Sequence, residues 1–257
     1  MDSRLDGRVA VVTGGGRGLG RAMATELGRR GAFVVVNYRR DKREAERSLE
    51  LLRANGGDGL VVAADVSDQG QVRKMFQKIY AERGRVDILI NNAGISRDNI
   101  LPLMTLQQWK EPLDTHLNGA MYCCKEVAAR MCAAGSGVIF NIGSGSMLVP
   151  TPGQTNYAAS KAGLIGLTRS LSREVGSKGV RVILIIPGFF ETELAAGVAR
   201  WVLEDSLKRT PLGRWGRPEE LAAVIGFLAS DDAAYFTGQG IIVDGGRGVV
   251  EFEYGYR

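Results

Sequence analysis

The run Val9-Ala10-Val11-Val12, followed by Thr13-Gly14-Gly15-Gly16-Arg17-Gly18-Leu19-Gly20 and a helical stretch to Arg30, constrains this chain more than any other segment. A short apolar run bounded by glycine reads as a buried parallel strand. A glycine-rich turn between strand and helix lets the backbone approach a pyrophosphate, with the first helical amides aimed at the negative charge. The strict G-x-G-x-x-G pattern is not met, because Leu19 or Arg21 stands where its last glycine belongs. The spacing present is G-x-x-x-G-x-G, through Gly14, Gly18 and Gly20. The segment is read as the first unit of a dinucleotide-binding α/β fold.

The same alternation runs on to the C-terminus. Strand-like runs occur at Val9–Val12, Phe33–Val36, Leu60–Ala63, Val86–Ile90, Val138–Ile142, Val180–Ile186 and Ile241–Val243, with amphipathic segments between them. That pattern predicts a parallel sheet covered on both faces by helices. A chain of 257 residues with no linker or repeat is expected to form a single domain, 1–257. No stretch approaches the roughly 20 apolar residues of a membrane span, and residues 1–6 carry no apolar signal region. A cytoplasmic enzyme is the expectation. Cys123, Cys124 and Cys132 suggest no disulfide framework, and with one histidine and no C-x-x-C no metal site is expected.

Chemistry enters with Tyr157-Ala158-Ala159-Ser160-Lys161 and with Ser144, thirteen residues before the tyrosine. Residues four apart share a helix face, which brings the Lys161 ammonium near the Tyr157 phenol. A nearby positive charge is expected to lower the phenol pKa from about 10. Ser144 then holds a carbonyl or hydroxyl oxygen while Tyr157 gives or takes its proton.

These motifs, with Asn91-Asn92-Ala93-Gly94 and Pro187-Gly188, stand in the order seen in short-chain dehydrogenases/reductases, and the resemblance covers about residues 5–246. Within that family the chain most resembles 3-oxoacyl-[acyl-carrier-protein] reductases, through residues 95–99, 153–157, 187–192, 237–239 and 244–246. The resemblance implies a Rossmann-type three-layer α/β/α sandwich with seven parallel strands in the order 3-2-1-4-5-6-7. It implies catalysis by Ser144, Tyr157 and Lys161, and cofactor contacts from Gly14, Arg17, Gly18, Leu19, Gly20, Asn37, Arg39, Asp65, Val66, Asn92, Ala93, Gly94, Tyr157, Lys161, Pro187, Gly188 and Thr192. Substrate contacts are expected from Ser144, Gln154 and Phe189, and a substrate lid at about 190–217. Asp65 is also read as a helix cap before Ser67. A homotetramer is implied, and the tail from Phe252 to Arg257 is expected to touch a neighbouring subunit's site.

The net charge of +5 does not point to nucleic acid, because no basic face with interleaved aromatic platforms is visible. The densest basic cluster, Arg39, Arg40, Lys42 and Arg43, follows the second strand, Ala32 to Val36, whose end faces the adenosine ribose in this fold. An acidic residue there would select NAD(H), but Asn37 occupies the position. Arg17 and Arg39 suit a 2′-phosphate through their forked donors, so NADP(H) is expected over NAD(H).

Three departures from the family pattern stand out. His116, in Asp114-Thr115-His116-Leu117-Asn118-Gly119, occupies the place of an active-site asparagine, with Asn118 two residues out of register. It is expected to keep a water and a proton relay, since a neutral imidazole both donates and accepts. The basic pair expected beside the active-site entrance to meet an acyl-carrier protein is half present, with Ser136 at one position and Lys178 at the other. Ile183 replaces a polar residue and is read as local repacking. The expected reaction is reduction of a ketone, foremost a 3-oxoacyl thioester, with a hydroxyacyl-CoA, a polyketide or a small alcohol as alternative substrates. A non-catalytic dinucleotide sensor is disfavoured because serine, tyrosine and lysine all stand. A serine hydrolase is set aside because Ser144 and Ser146 do not meet G-x-S-x-G.

Overall fold

A computed structural model describes residues 4–193 and 200–248. The described chain alternates strand and helix: β1 Val9–Val12, α1 Gly18–Arg29, β2 Phe33–Tyr38, α2 Lys42–Ala54, β3 Asp58–Ala63, α3 Gln69–Arg83 and β4 Ile88–Asn91. It continues with α4 Leu106–Leu113, α5 Gly119–Ala134, β5 Gly137–Ile142, α6 Thr155–Val175, β6 Val180–Pro187, α7 Arg200–Lys208, α8 Pro218–Ala229 and β7 Gly240–Val243. The seven strands form one sheet in the order β3-β2-β1-β4-β5-β6-β7, and every pairing is parallel.

Apolar residues on both faces of each central strand explain why these runs read as continuous rather than alternating. Ala10 and Val12 pack with Met23, Leu27, Leu221 and Ile225 of α1 and α8. Val9 and Val11 point the other way, onto Val72, Phe76 and Ile79 of α3 and Cys123, Val127 and Met131 of α5. Cys123 and Cys124 are free and buried, and burial pushes the Cys124 thiol up to about 12, so they serve as packing. Ile183 is fully buried opposite Phe140 in the β5–β6 register.

Register moves several strand limits away from the apolar runs. β2 continues through the polar Asn37 and Tyr38 because both pair with β3, which itself begins at Asp58 opposite Phe33. β4 begins at Ile88 rather than Val86. Asp87 is spent holding the sheet's lower edge: its amide donates to Val9 O at 2.8 Å, and its carboxylate accepts from Val9 N at 2.8 Å.

The expected lid, 190–217, is partly described. Its two ends meet: Phe190 bridges Gly216, and the Glu191 amide donates to Gly216 O at 2.9 Å. Residues 194–199, and the tail to which a subunit contact was assigned, lie outside the described residues. Among the described residues no helix is long and apolar enough to cross a membrane.

Candidate active site

The carboxyl ends of β1 and β4 come together around Thr13. Its hydroxyl accepts from the amides of Asn92 at 2.9 Å and Ala93 at 3.0 Å, and the Asn92 side chain donates to Thr13 O at 2.9 Å. Gly14 has φ +61°, and a Cβ on it would stand 2.9 Å from the Ala93 Cα. A Cβ on Gly20 would meet Gly14 O at 2.4 Å and Asn92 Nδ2 at 2.6 Å. Only glycine lets turn, helix and the 92–94 loop pack this closely. Neither an N-cap side chain nor a first-turn acid occupies the start of α1, so its amides remain available to an anion. The turn therefore fits a dinucleotide pyrophosphate. Thr192 reaches the same turn, its Cγ2 lying 3.5 Å from a Cβ built on Gly18.

At the end of β2 the geometry revises the expected ribose contact. Asn37 is buried: its Oδ1 accepts from Gly14 N at 3.3 Å, and its Nδ2 donates to Val62 O at 3.2 Å and Ala64 O at 3.1 Å. That amide ties the Gly14 turn to the end of β3 and is not turned to a ribose. Arg39 and Arg17 lie nearby, paired with Asp65 at 3.6 Å and with Asp41 respectively. Both arginine side chains are more than a third exposed. Asp65 is not the cap of α3, which is Asp68, accepting from Gln71 N at 3.0 Å. Asp65 instead closes a turn by accepting from the Ser67 amide and hydroxyl at 3.0 and 2.7 Å. Val66 packs against Gly119.

Ser144 follows β5 by two residues and caps a short turn over Gly145–Met147, accepting from the Ser146 amide and hydroxyl at 3.2 and 3.1 Å. Tyr157 and Lys161 stand on the first turns of α6. Burial pushes the Tyr157 phenol up, and a hydrogen bond with Ser144 pulls it partly back. The expected lowering by Lys161 is not what this geometry produces. Lys161 Nζ donates to Ile142 O at 2.7 Å and lies 5.9 Å from the Tyr157 ring centroid. The amine is buried, and desolvation brings its pKa down to about 8.

His116 belongs to a π-helical turn, Asp114–Asn118, between α4 and α5. Such wide turns redirect a side chain within a helix. Its Nε2 accepts from the Ile95 amide at 2.9 Å, and its Nδ1 contacts Ser160 Oγ at 2.8 Å. Because Ser160 Oγ donates its own proton to Tyr157 O at 2.7 Å, the imidazole proton sits on Nδ1. The ring meets Tyr157 edge-on, centroids 5.1 Å apart. Burial, and then the charge of Lys161, push the His116 pKa down to about 2. Both nitrogens are thus committed, which leaves no free one for the expected water relay. Asn118 donates to Asp114 Oδ1 at 2.8 Å and takes no part.

On the substrate side, Gln154 donates to Asp98 Oδ2 at 2.9 Å, and Phe189 stacks on Trp215. Pro187 ends β6, and Gly188 allows close approach of Asp244, 2.5 Å from a built Cβ. Two organising residues were given no role by the sequence reading. Ser160 carries the His116 bond, and Asn156 donates to Arg97 O at 2.9 Å and Gln108 O at 2.7 Å, fixing the start of α6. Position three after Tyr157 was the available signal for Ser160. Asn156 lies in the stretch 153–157 that carries the family resemblance, which gave it no role of its own.

Ser136 and Lys178 are placed differently from expectation. They stand one residue before β5 and two before β6, at the amino ends of the strands, where Gly179 packs closely on Gly135. Ser144 lies beyond the carboxyl end of the six-residue β5, about 20 Å away along the strand. Within this chain the pair does not flank the site entrance.

The profile described as Enoyl-(Acyl carrier protein) reductase matches residues 14–247. The chain is 45% identical over 242 residues to the 3-oxoacyl-[acyl-carrier-protein] reductase FabG of Pseudomonas aeruginosa, covering 94% of this chain and 98% of that protein. The Staphylococcus aureus protein of the same name is 41% identical over 237 residues, covering 92% and 96%. Among solved structures, a gluconate 5-dehydrogenase from Burkholderia cenocepacia J2315 in complex with NADP and tartrate matches with TM-score 0.90 at 35% identity, covering 96% and 97%. A putative gluconate dehydrogenase from Agrobacterium tumefaciens matches with TM-score 0.93 at 34% identity, covering 97% and 99%. The chain belongs to the short-chain dehydrogenase/reductase family, whose members are NAD(P)H-dependent oxidoreductases acting on CH–OH groups.

Proposed function

We propose that this protein reduces a 3-oxoacyl thioester to the 3-hydroxyacyl thioester with NADPH. The observation that carries the reading is the grouping of Ser144, Tyr157 and Lys161 at the carboxyl end of β5 and the start of α6. It is joined to likeness with proteins named 3-oxoacyl-[acyl-carrier-protein] reductase over more than nine-tenths of the chain.

A bound nicotinamide dinucleotide supplies the hydride. The chain's own residues handle the ketone oxygen and its proton. Ser144 Oγ and the Tyr157 hydroxyl hold that oxygen, and Tyr157 donates the proton as charge develops on it. The raised phenol pKa keeps Tyr157 protonated at neutral pH, the form a reduction consumes. Lys161, held by the Ile142 carbonyl with its pKa brought down to about 8, is suited to return a proton to the site. His116 is a positioning residue: neutral and doubly hydrogen-bonded, it ties the Ile95 loop to the helix that carries Tyr157.

Arg17 and Arg39, with no acidic residue at the end of β2, support NADPH over NADH. Likeness to the carrier-protein reductases supports an acyl-carrier-protein thioester. A coenzyme A thioester is kept as the second, less favoured substrate. The deciding experiment follows oxidation of NADPH, and separately of NADH, with acetoacetyl-CoA and with the acetoacetyl carrier-protein thioester. Turnover with NADPH is expected on at least one thioester, and none on either removes the thioester assignment.

A further inference from the structure

One charged side chain on the substrate side has no part in that chemistry. Arg247 lies four residues past the end of β7. Its guanidinium carbon stands 4.4 Å from the centroid of the Phe189 ring, which stacks on Trp215 at 5.8 Å with 22° between the planes. Trp215 is itself fixed by an indole hydrogen bond to Ser206 Oγ at 2.8 Å. The Nη1 of Arg247 is buried and has no hydrogen-bond partner among the described residues.

The nearby acids are committed elsewhere. Asp244 accepts from the amides of Gly246 and Gly248, and Asp205 pairs with Arg209 at 2.9 Å. A partly buried guanidinium without an acceptor is costly, and an anion that meets it recovers the cost.

The place matters as much as the charge. Ser144, Phe189 and Arg247 follow β5, β6 and β7, three adjacent strands, all at their carboxyl ends. At about 4.8 Å per strand, their backbones span roughly 10 Å. The loops touch: Pro187 O lies 3.6 Å from a Cβ built on Gly145, and Leu148 Cδ1 lies 3.7 Å from one built on Gly248.

We propose that Arg247 is the anion-recognition residue of this site, selecting ketones that carry a carboxylate or a phosphate against an aromatic wall of Phe189 and Trp215. The proposal rests on the ketoreductase reading above. Arginine suits it because its planar fork both lies on an aromatic ring and pairs with oxyanions.

The test uses two matched pairs with the NADPH-loaded protein: 4-oxopentanoate against its methyl ester, and acetoacetyl-CoA against the acetoacetyl thioester of N-acetylcysteamine. Within each pair the reacting ketone is constant and the anion is present or absent. Arg247→Gln is expected to lower kcat/KM for a charged member about 10- to 100-fold, through KM, and to leave its neutral partner within about twofold. Arg247→Lys is expected to recover part of the loss. A loss confined to 4-oxopentanoate assigns a carboxylate on the ketone, and one confined to acetoacetyl-CoA assigns a phosphate on the carrier arm. Equal losses on charged and neutral members, or no loss, overturn the proposal.

If the wild type turns over none of the four, the reductase reading fails by itself and Arg247 is still tested. Calorimetric titration with 4-oxopentanoate and its ester must then show a preference for the acid that Arg247→Gln abolishes. A wild type without that preference overturns the proposal as well.

Discussion

One hydrogen bond joins His116 to Ile95: the Ile95 amide donates to Nε2 of the imidazole at 2.9 Å. It closes the loop after β4 over the π-helical turn, and the opposite nitrogen continues the connection into α6 through Ser160. The 92–95 loop and the Tyr157 helix are therefore set relative to one another by a single neutral ring. Gly94 shares this close approach, since a Cβ on it would lie 3.2 Å from Nε2.

A positioning role for His116 has a kinetic signature. His116→Asn, which keeps a donor and an acceptor, is expected to hold kcat within about tenfold of wild type, while His116→Leu falls about 100-fold with NADPH affinity unchanged. Because the folded pKa is about 2, the wild-type rate should show no histidine limb between pH 5 and 7. A limb near pH 6.5 that disappears in His116→Asn would instead support a relay.

The same shift carries a stability consequence. The pKa is depressed from 6.5, so the unfolded chain binds a proton that the folded chain refuses, and stability falls as pH drops below 6.5. Between pH 6.5 and 4 the loss attributable to His116 is about 3 kcal/mol. Denaturant titrations of wild type and His116→Asn at both pH values should differ by an amount of that order, with the variant less acid-sensitive.

Lys161 has the same sign in a more alkaline window. Its pKa falls from 10.5 to about 8 by burial, so the folded state loses its proton first and stability rises as pH increases from 8 towards 10.5. Relative to Lys161→Met, the wild type should gain about 3 kcal/mol over that window. Chemical denaturation at pH 7.5 and 10 measures it, and parallel curves would contradict the buried, desolvated amine.

Tyr157→Phe removes the proposed proton donor without changing the packing of the ring. We expect turnover to fall by about 10²- to 10⁴-fold, with the NADPH dissociation constant within about threefold of wild type. Single-turnover kinetics beside a binding titration separates the two, and undiminished turnover would move the acid to another group.

Arg39→Ala should weaken NADPH binding about 10- to 100-fold, since a charge-assisted contact to the 2′-phosphate is lost, and should leave NADH nearly unchanged. Equal effects on both cofactors would show that Arg39 acts only through its pair with Asp65.

Periodicity and spacing by themselves determined the α/β class, the seven strands and the Ser144–Tyr157–Lys161 trio, because these depend on local sequence. Short apolar runs mark strands buried in a parallel sheet, and a four-residue offset shares a helix face wherever the helix lies. Tertiary structure alone decided what depends on residues far apart in the chain. It turned Asn37 inward, because β2 and β3 pair in a register no local pattern displays. It spent both nitrogens of His116 on Ile95 and Ser160, 21 and 44 residues away. It raised the Tyr157 pKa where a neighbouring lysine alone predicts a fall, since desolvation depends on the whole surrounding volume. It also put Lys178 and Ser136 at the strand edge opposite Ser144, because direction along a sheet belongs to the fold and not to the motif.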